Sequence, residues 1–590
     1  MKTPRTAFGF AVIALTAASG TARQGPPPRP PQLSPSPLPR PDGPAYARGF
    51  IHDVSVVYRN GTEHAENVDL SLLGSGRMLL AFRGGGTGQV ETPDARIRVF
   101  AFDPVTYRGT LLSEVGAAPA MPARGIRDPK LLDWDGKLLL SAISRQAGFP
   151  IRDLFANART VIAESADGGA SFSTPAAAAF RGTPDATFGI WRYAARVHRE
   201  GGRVVRTMYA TGYNDGDLEA AYFTTTDGGR SFTRLGSIVN DAAEVPSEAE
   251  LFFVGPNQET AVALVRLDNR GLLSGGQTAV CTKRAGPEGL SGDFECGRRL
   301  DSRLDGPSAV FTVDGRRFVA ARKHLACTRK RTALYELRGD LADPRAAVSL
   351  CEIAELPSSG DTAYAAVAPI PGRDREYVLA WYSTPAGSDP PWLPAQLAPT
   401  SILAAQLDFK KYDPSSCRPP EPTPACPPPI LPPSSRSTLA GAYVLGLTPS
   451  FVPERPAFFV AQARTQGERI DVSLQALDQR RLASGGDRVP IGERFDASGA
   501  IRPDGSFTVD FGNPQVPLAV WPIGGGLPGS FTFEGLRLTG VTTSPDAFCG
   551  GVEGDVVIAP LAGIVPPGTR LLLEGSRFGA SRAGGVAACP

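Results

Sequence analysis

Arg83, Asp128, Glu248, Arg266, Arg322 and Tyr364 are the residues of this chain best placed to act together on a small molecule, because each stands at the same place in a repeated unit. A guanidinium presents a planar fork of donors that matches a carboxylate in two places at once. A carboxylate and a phenol within reach of each other can pass a proton. Glu248, with Glu250 as the competing choice, opens the segment SEAELFFVGPNQETAVALVRL, and Arg266 stands near its end. In an antiparallel pair the first residues of one strand lie beside the last residues of the next, so acid and base are expected to share the end opposite the turn at Gly255-Pro256-Asn257.

The same hairpin recurs six times, with turns near Gly76, Gly136, Gly202, Asn257, Gly315 and Gly372, which by subtraction lie 60, 66, 55, 58 and 57 residues apart. A period of that length, all-β within each unit, is the signature of propeller blades of four strands, and six blades are expected. The turn-opposite ends then gather around the central axis. Any one charge there reads equally well as a strand cap in solvent; six such residues at the turn-opposite ends of five units are harder to dismiss. Arg127-Asp128-Pro129-Lys130 opens the second unit, and Trp191, followed by Arg192 and Tyr193, opens the third; Arg127, Asp128 and Trp191 are candidate pocket-lining residues, with core packing the equal alternative for Trp191.

Composition narrows the class. The chain has 590 residues, 42% of them hydrophobic, and a formal net charge of +2, which gives no polyelectrolyte signal and argues against nucleic acid as partner. Its 66 glycines and 56 prolines suit many turns rather than a helix bundle. Lys2 and Arg5 precede an apolar run from Ala7 to Ala18 and a small-residue site at Gly20-Thr21-Ala22, so residues 1–22 read as a secretory signal peptide and the protein as secreted or periplasmic. No other stretch is long and apolar enough to span a membrane. Residues 23–47 form a proline-rich linker, 48–410 the propeller and 411–436 a second proline-rich linker. Residues 437–590 are expected to form a small β-sandwich or β-barrel domain with no catalytic constellation. The eight cysteines suggest disulfides, and local pairs are the simplest expectation: Cys281–Cys296, Cys327–Cys351, Cys417–Cys426 and Cys549–Cys589. With no CxxC and only four scattered histidines, His52, His64, His198 and His324, neither a zinc site nor a Ser-His-Asp hydrolase is favoured. A monomer without metal or organic cofactor is expected.

Ser165–Phe172 (SADGGASF) and Thr225–Phe232 (TTDGGRSF) share the form S/T-x-D-G-G-x-S-F. Physically this is a tight turn in which the carboxylate caps backbone N–H groups, the glycines take positive φ and the aromatic ring tucks beneath, so Asp167 and Asp227 are structural. These turns, with the order Arg, Asp, Glu, Arg, Arg, Tyr along roughly Val54 to Phe409, resemble the Asp boxes and active-site series of sialidases (neuraminidases) and related BNR-repeat proteins. That resemblance implies a six-bladed propeller. It also implies that Arg83, Arg266 and Arg322 grip a sugar carboxylate, that Asp94 is the acid/base and that Tyr364, activated by Glu248, is the nucleophile. The implied activity is release of terminal sialic or related nonulosonic acids from glycoconjugates, with retention. A carboxylate on the anomeric carbon repels a carboxylate nucleophile, which is why a neutral phenol primed by a glutamate suits such a substrate. Alternatives are a glycan-binding propeller without turnover and a propeller glycosidase for another sugar. The run RDPK resembles a motif of fructan- and sucrose-cleaving propeller glycosidases, where the aspartate stabilises the transition state.

Overall fold

The computed structural model describes residues 31–86, 88, 92–117, 124–134, 136–146, 158–183, 188–214, 219–241, 243–268, 277–286, 289–300, 302–385, 387–421, 426–453, 455–483, 488–520, 529–558 and 570–582. Among them, six sheets, antiparallel except for the short edge strand Ala179–Arg181 that runs parallel to Ser231–Asn240, are arranged as the blades of a propeller, followed by one ten-stranded sheet. The six hairpins anticipated from the turn residues are the two inner strands of successive blades, beginning at Glu66, Arg124, Gly189, Pro246, Asp305 and Thr362. Strands covered on both faces by neighbouring blades need apolar side chains in both directions. Accordingly, every residue of Met78–Gly84 and of Thr260–Leu267 is buried.

The ring is closed by chain from before the first blade. Ile51–Arg59 pairs antiparallel with Ser401–Asp408 and becomes the outer strand of the sixth blade, so the blade that ends the propeller is completed by the strand that begins it. Such closure leaves only short outer edges unpaired. Two of those edges carry the acidic turns. Asp167 accepts from the Ser171 backbone N–H at 2.9 Å and from the Ser165 hydroxyl at 2.8 Å, and Asp227 repeats the arrangement with Ser231 and Thr225 at 2.9 and 3.0 Å. Gly168, Gly169, Gly228 and Gly229 hold φ between 69 and 95°, and Phe232 is fully buried.

The C-terminal sheet runs in the order 490–500, 469–477, 457–466, 440–448, 576–581, 547–558, 530–544 and 506–512. Its two end strands meet at an Ile501–Phe507 bridge, so it is nearly closed on itself as a barrel rather than split into a sandwich. Leu445, Phe459, Ile470, Val509 and Phe578 fill its interior.

The disulfides correct the local-pairing expectation. Cys281–Cys296 forms as anticipated, but Cys327 pairs with Cys426 and Cys351 with Cys417. Cys327 follows the second strand of blade five, whereas Cys351 faces Glu336 near the far end of the third strand, Lys330–Arg338. The two therefore lie at opposite ends of one strand, and the proline-rich linker carries Cys417 and Cys426 to them separately. Cys549 is disulfide-bonded, and Cys589 lies outside the described residues.

Candidate functional site

The axial residues are set by a shared irregularity. Near its start, the innermost strand of every blade slips register against its neighbour: between Glu66 and Asp69, Arg127 and Lys130, Ile190 and Arg192, Pro246 and Ala249, Asp305 and Ser308, and Ala363 and Ala366. A bulge adds a residue to one strand and re-aims its side chain. Asn67, Asp128, Trp191, Glu248, Gly306 and Tyr364 lie in these six bulges. Asn67, Asp128, Gly306 and Tyr364 take φ of 56, 54, 51 and 44°, a left-handed conformation that is strained for the three that are not glycine.

Tyr364 and Glu248 face each other across the axis. The phenol donates to Glu248 Oε1 at 2.5 Å, while Glu248 Oε2 accepts from Arg266 Nη1 at 3.0 Å and from the Gly306 N–H at 2.8 Å. Glycine is required at 306: a Cβ there would run into the Tyr364 ring. Arg322 lies over the other face of that ring, 5.1 Å from its centroid, and Trp191 packs edge-on at 5.2 Å. Burial and then the adjacent Glu248 carboxylate push the Tyr364 phenol well above its ordinary range, against Arg322 and Arg266. The residue is therefore a neutral hydroxyl hydrogen-bonded to a carboxylate already ordered to receive its proton.

The arginines are held by internal carboxylates. Arg83 meets Glu66 at 2.7 Å, and Arg127 meets the same carboxylate at 3.1 Å. Arg266 contacts Glu248, Asp268 at 3.0 Å and Asp305 at 3.2 Å. Arg322 donates to Asp361 at 3.0 Å and to the Thr362 carbonyl at 2.7 Å; its Nη1 has no hydrogen-bond partner and stands 3.7 Å from Asp305. Asp305 also accepts from Arg303 at 2.5 Å and meets His324 Nε2 at 2.9 Å. Burial would raise the carboxyl of Asp305, but Arg266 and Arg303 hold it well below the usual carboxylate range. Asp361 is likewise held low, despite burial, by His64 at 3.1 Å and by Arg322.

Asp128 sits beside this cluster, bonded to the Asn67 amide and 3.5 Å from Arg127. Further along the inner strands lies a second ring of charge: Asp69, Lys130, Arg192 and Glu250. Innermost strands have no partner on the axial side, so acids there serve as caps for backbone donors. Asp69 accepts from the Leu131 N–H of the next blade at 2.7 Å, and Glu250 meets Arg192 at 3.1 Å. Burial pushes Glu250 up to about 7 and, with Arg192, draws Lys130 down to about 8. Glu248, not Glu250, is the glutamate that meets Tyr364.

Of the residues singled out from the sequence, Glu248, Arg266, Arg322 and Tyr364 come together directly. Arg83 and Arg127 share Glu66, which reaches Arg322 by way of His64 and Asp361, Asp128 stands beside Arg127, and Trp191 is a buried wall against Tyr364. Asp94 stands apart: it is exposed on the connection between Met78–Gly84 and Arg96–Phe102, with no side-chain contact to the axial cluster among the described residues. Sequence reasoning missed Glu66, Asp305 and Asp361. Two had a signal, since Glu66 precedes Asn67 and Asp305 precedes Gly306 at the place Arg127 precedes Asp128. His64, Glu66 and Asp361 bring ligand-type atoms within 4.8 Å of one another. All three are engaged, His64 with the Ala398 carbonyl and Asp361, Glu66 with two arginines, and Asp361 with Arg322.

No protein-family model matches the chain, and no curated protein matches it in sequence. Among solved structures it is similar to a protein of unknown function from Dyadobacter fermentans DSM 18053, at 17% identity over 60% of this chain and 97% of that one, with a TM-score of 0.43. It is also similar to the NanB sialidase of Streptococcus pneumoniae, at 12% identity over 60% of this chain and 70% of that one, TM-score 0.41. A third similarity, to a Trypanosoma rangeli sialidase in complex with sialic acid, has 12% identity over 90% of each chain, TM-score 0.37.

Proposed function

We propose that the protein is an exported glycoside hydrolase that works through Tyr364 and Glu248, and that its substrates are glycans ending in sialic or related nonulosonic acids. The observation that carries this reading is the 2.5 Å hydrogen bond from the buried Tyr364 phenol to a glutamate that is itself oriented by Arg266 and the Gly306 N–H. In the proposed reaction Tyr364 Oη attacks the anomeric carbon as its proton passes to Glu248, and the glycosidic oxygen leaves with a proton from an acid, for which Asp94 is the candidate. Water, giving a proton to the deprotonated acid, then attacks the same carbon, the bond to Tyr364 Oη breaks, Tyr364 recovers its proton from Glu248 and the sugar is released with retained configuration. Arg322, whose Nη1 is buried and without a hydrogen-bond partner, is the donor proposed to meet the sugar carboxylate, with Arg266 beside it.

A second reading, a propeller glycosidase for an uncharged sugar, is favoured by Asp305. Its carboxylate already lies among Arg266, Arg303 and Arg322, where an incoming carboxylate would have to compete. The test is turnover of a fluorogenic α-sialoside and of a set of fluorogenic neutral glycosides by the native protein, Tyr364→Phe and Arg322→Ala. The first reading expects sialoside hydrolysis lost in both variants. Hydrolysis of a neutral glycoside lost only in Tyr364→Phe would establish the second. Saturable glycan binding without turnover would leave a lectin-like propeller.

A further inference from the structure

We infer that the C-terminal barrel is a working part of the axial site, holding Arg322 in place through two independent ties, Trp392 and the Cys327–Cys426 disulfide. Arg322 is flanked by two acids, Asp361 at 3.0 Å and Asp305 at 3.7 Å, and each acid is secured by a segment anchored to the barrel.

The first tie is the short turn Trp392–Ala395 in blade six. The Trp392 indole N–H donates to Asp361 Oδ1 at 2.9 Å, the same oxygen that accepts from Arg322. Its ring lies 5.5 Å from the Arg322 guanidinium and 5.8 Å from Lys330. The same ring is buried in one apolar cluster with Leu439, Tyr443, Phe451 and other interior residues of the barrel. Ala395 closes over Gly360, where a Cβ would meet it at 2.7 Å, so the turn also fixes the backbone that presents Asp361.

The second tie runs through the connection between the second and third strands of blade five. His324, which meets Asp305 at 2.9 Å, and Lys330, which meets His324, bracket Cys327. Cys327 is bonded to Cys426, whose backbone N–H donates to the Glu574 carboxylate of the barrel at 3.0 Å. Arg331, at the start of the third strand, pairs with Asp389 at 2.6 Å, joining that strand to the segment that leads into Trp392. A side chain that only filled the interface would need neither the indole bond to Asp361 nor a position over Arg322. Trp392 is thus a positioning residue for Arg322, and its catalytic consequence rests on the hydrolase reading above.

The test uses the full chain carrying Trp392→Phe, which keeps an aromatic ring and removes the N–H, and separately the pair Cys327→Ser/Cys426→Ser. Amide hydrogen exchange should rise in both variants at residues 318–324 and 361–367 and stay unchanged at 131–143 in blade two. Unchanged exchange at the first two segments, or an equal rise in every blade, would overturn the proposal. If Trp392→Phe does not fold, the serine pair decides by the same readout. Where the native protein turns over a glycoside, Trp392→Phe should lower kcat/KM by roughly 10- to 100-fold, the scale of a misplaced active-site group. It should also move the acid limb of the pH profile upward, because Asp361 loses a donor that favours its charged form. A variant with native kcat/KM and an unmoved profile would overturn the coupling, whereas absence of turnover in the native protein sinks the hydrolase reading and leaves the exchange result standing alone.

Discussion

Burial and the Glu248 carboxylate keep Tyr364 a neutral phenol, hydrogen-bonded to the group that would take its proton in the proposed attack. That arrangement makes two expectations at the scale of one residue. Tyr364→Phe removes only the hydroxyl, so turnover should fall by about 10³-fold or more while the melting temperature hardly moves. Gly306→Ala should act from one blade away: the added methyl runs into the Tyr364 ring at a φ of 51° that alanine disfavours. About 1 kcal/mol of stability should be lost to backbone strain, and kcat should drop by roughly 10²-fold, as expected when a reacting group is displaced. Melting curves and steady-state rates of the purified variant check both. Glu250 offers a different signature. Burial raises its carboxyl from the ordinary 4.5 to about 7, so the folded state prefers it protonated. The stability it contributes is complete below about pH 4.5 and is lost as pH rises through 7. Glu250→Gln, which cannot ionise, should abolish that decline, a difference on the order of 3 kcal/mol between pH 4.5 and 7.5. Denaturation midpoints at the two pH values measure it.

At the scale of the element, the hairpins were legible because each turn announces itself through glycine or asparagine between two apolar runs. The charges at the turn-opposite ends then followed from antiparallel geometry alone. Glu248 meeting Arg266 is such a case. The six bulges were not legible, since a bulge changes register without changing composition, and register decides which residue faces the axis. Asn67 rather than an arginine therefore occupies the blade-one bulge, while Arg83 lies on the second strand opposite Glu66. The neutralising acids escaped notice for the same reason: Asp361 is three residues before Tyr364 and Asp305 lies across the blade-five hairpin from Arg322, and neither could be assigned to the axis before the bulges were known. The cysteines failed on a related ground. Neighbours in sequence are separated by a whole strand in blade five, and the linker, not the hairpin, brings the partners together. A non-reducing peptide map should recover the pairs Cys327–Cys426 and Cys351–Cys417 and no Cys417–Cys426 peptide.

The whole molecule is a ring whose closure and whose axial site depend on segments remote in sequence. Ile51–Arg59 completes the sixth blade, and Val57 on that strand is fully buried. A charge placed there is unpaired in a dry core, so Val57→Asp should remove roughly 3–5 kcal/mol and lower the melting temperature of the propeller as a unit rather than of one blade. Calorimetry distinguishes a single shifted transition from a split one. At the other end, the barrel and its linker are stapled to blade five by two disulfides and buried against Trp392, so the C-terminal sheet and the axial arginines share one structural frame. Among the described residues no helix is long and apolar enough to cross a membrane.

The measurement that bears most directly on the account is the identity of the residue that becomes covalently glycosylated. A fluorinated nonulosonic glycosyl fluoride, whose ring fluorine slows hydrolysis of the intermediate, should leave one sugar on the peptide carrying Tyr364, seen by mass spectrometry and absent in Tyr364→Phe. A sugar found instead on Asp128, Glu248 or Glu250, or steady release of product with no labelled peptide, would contradict it.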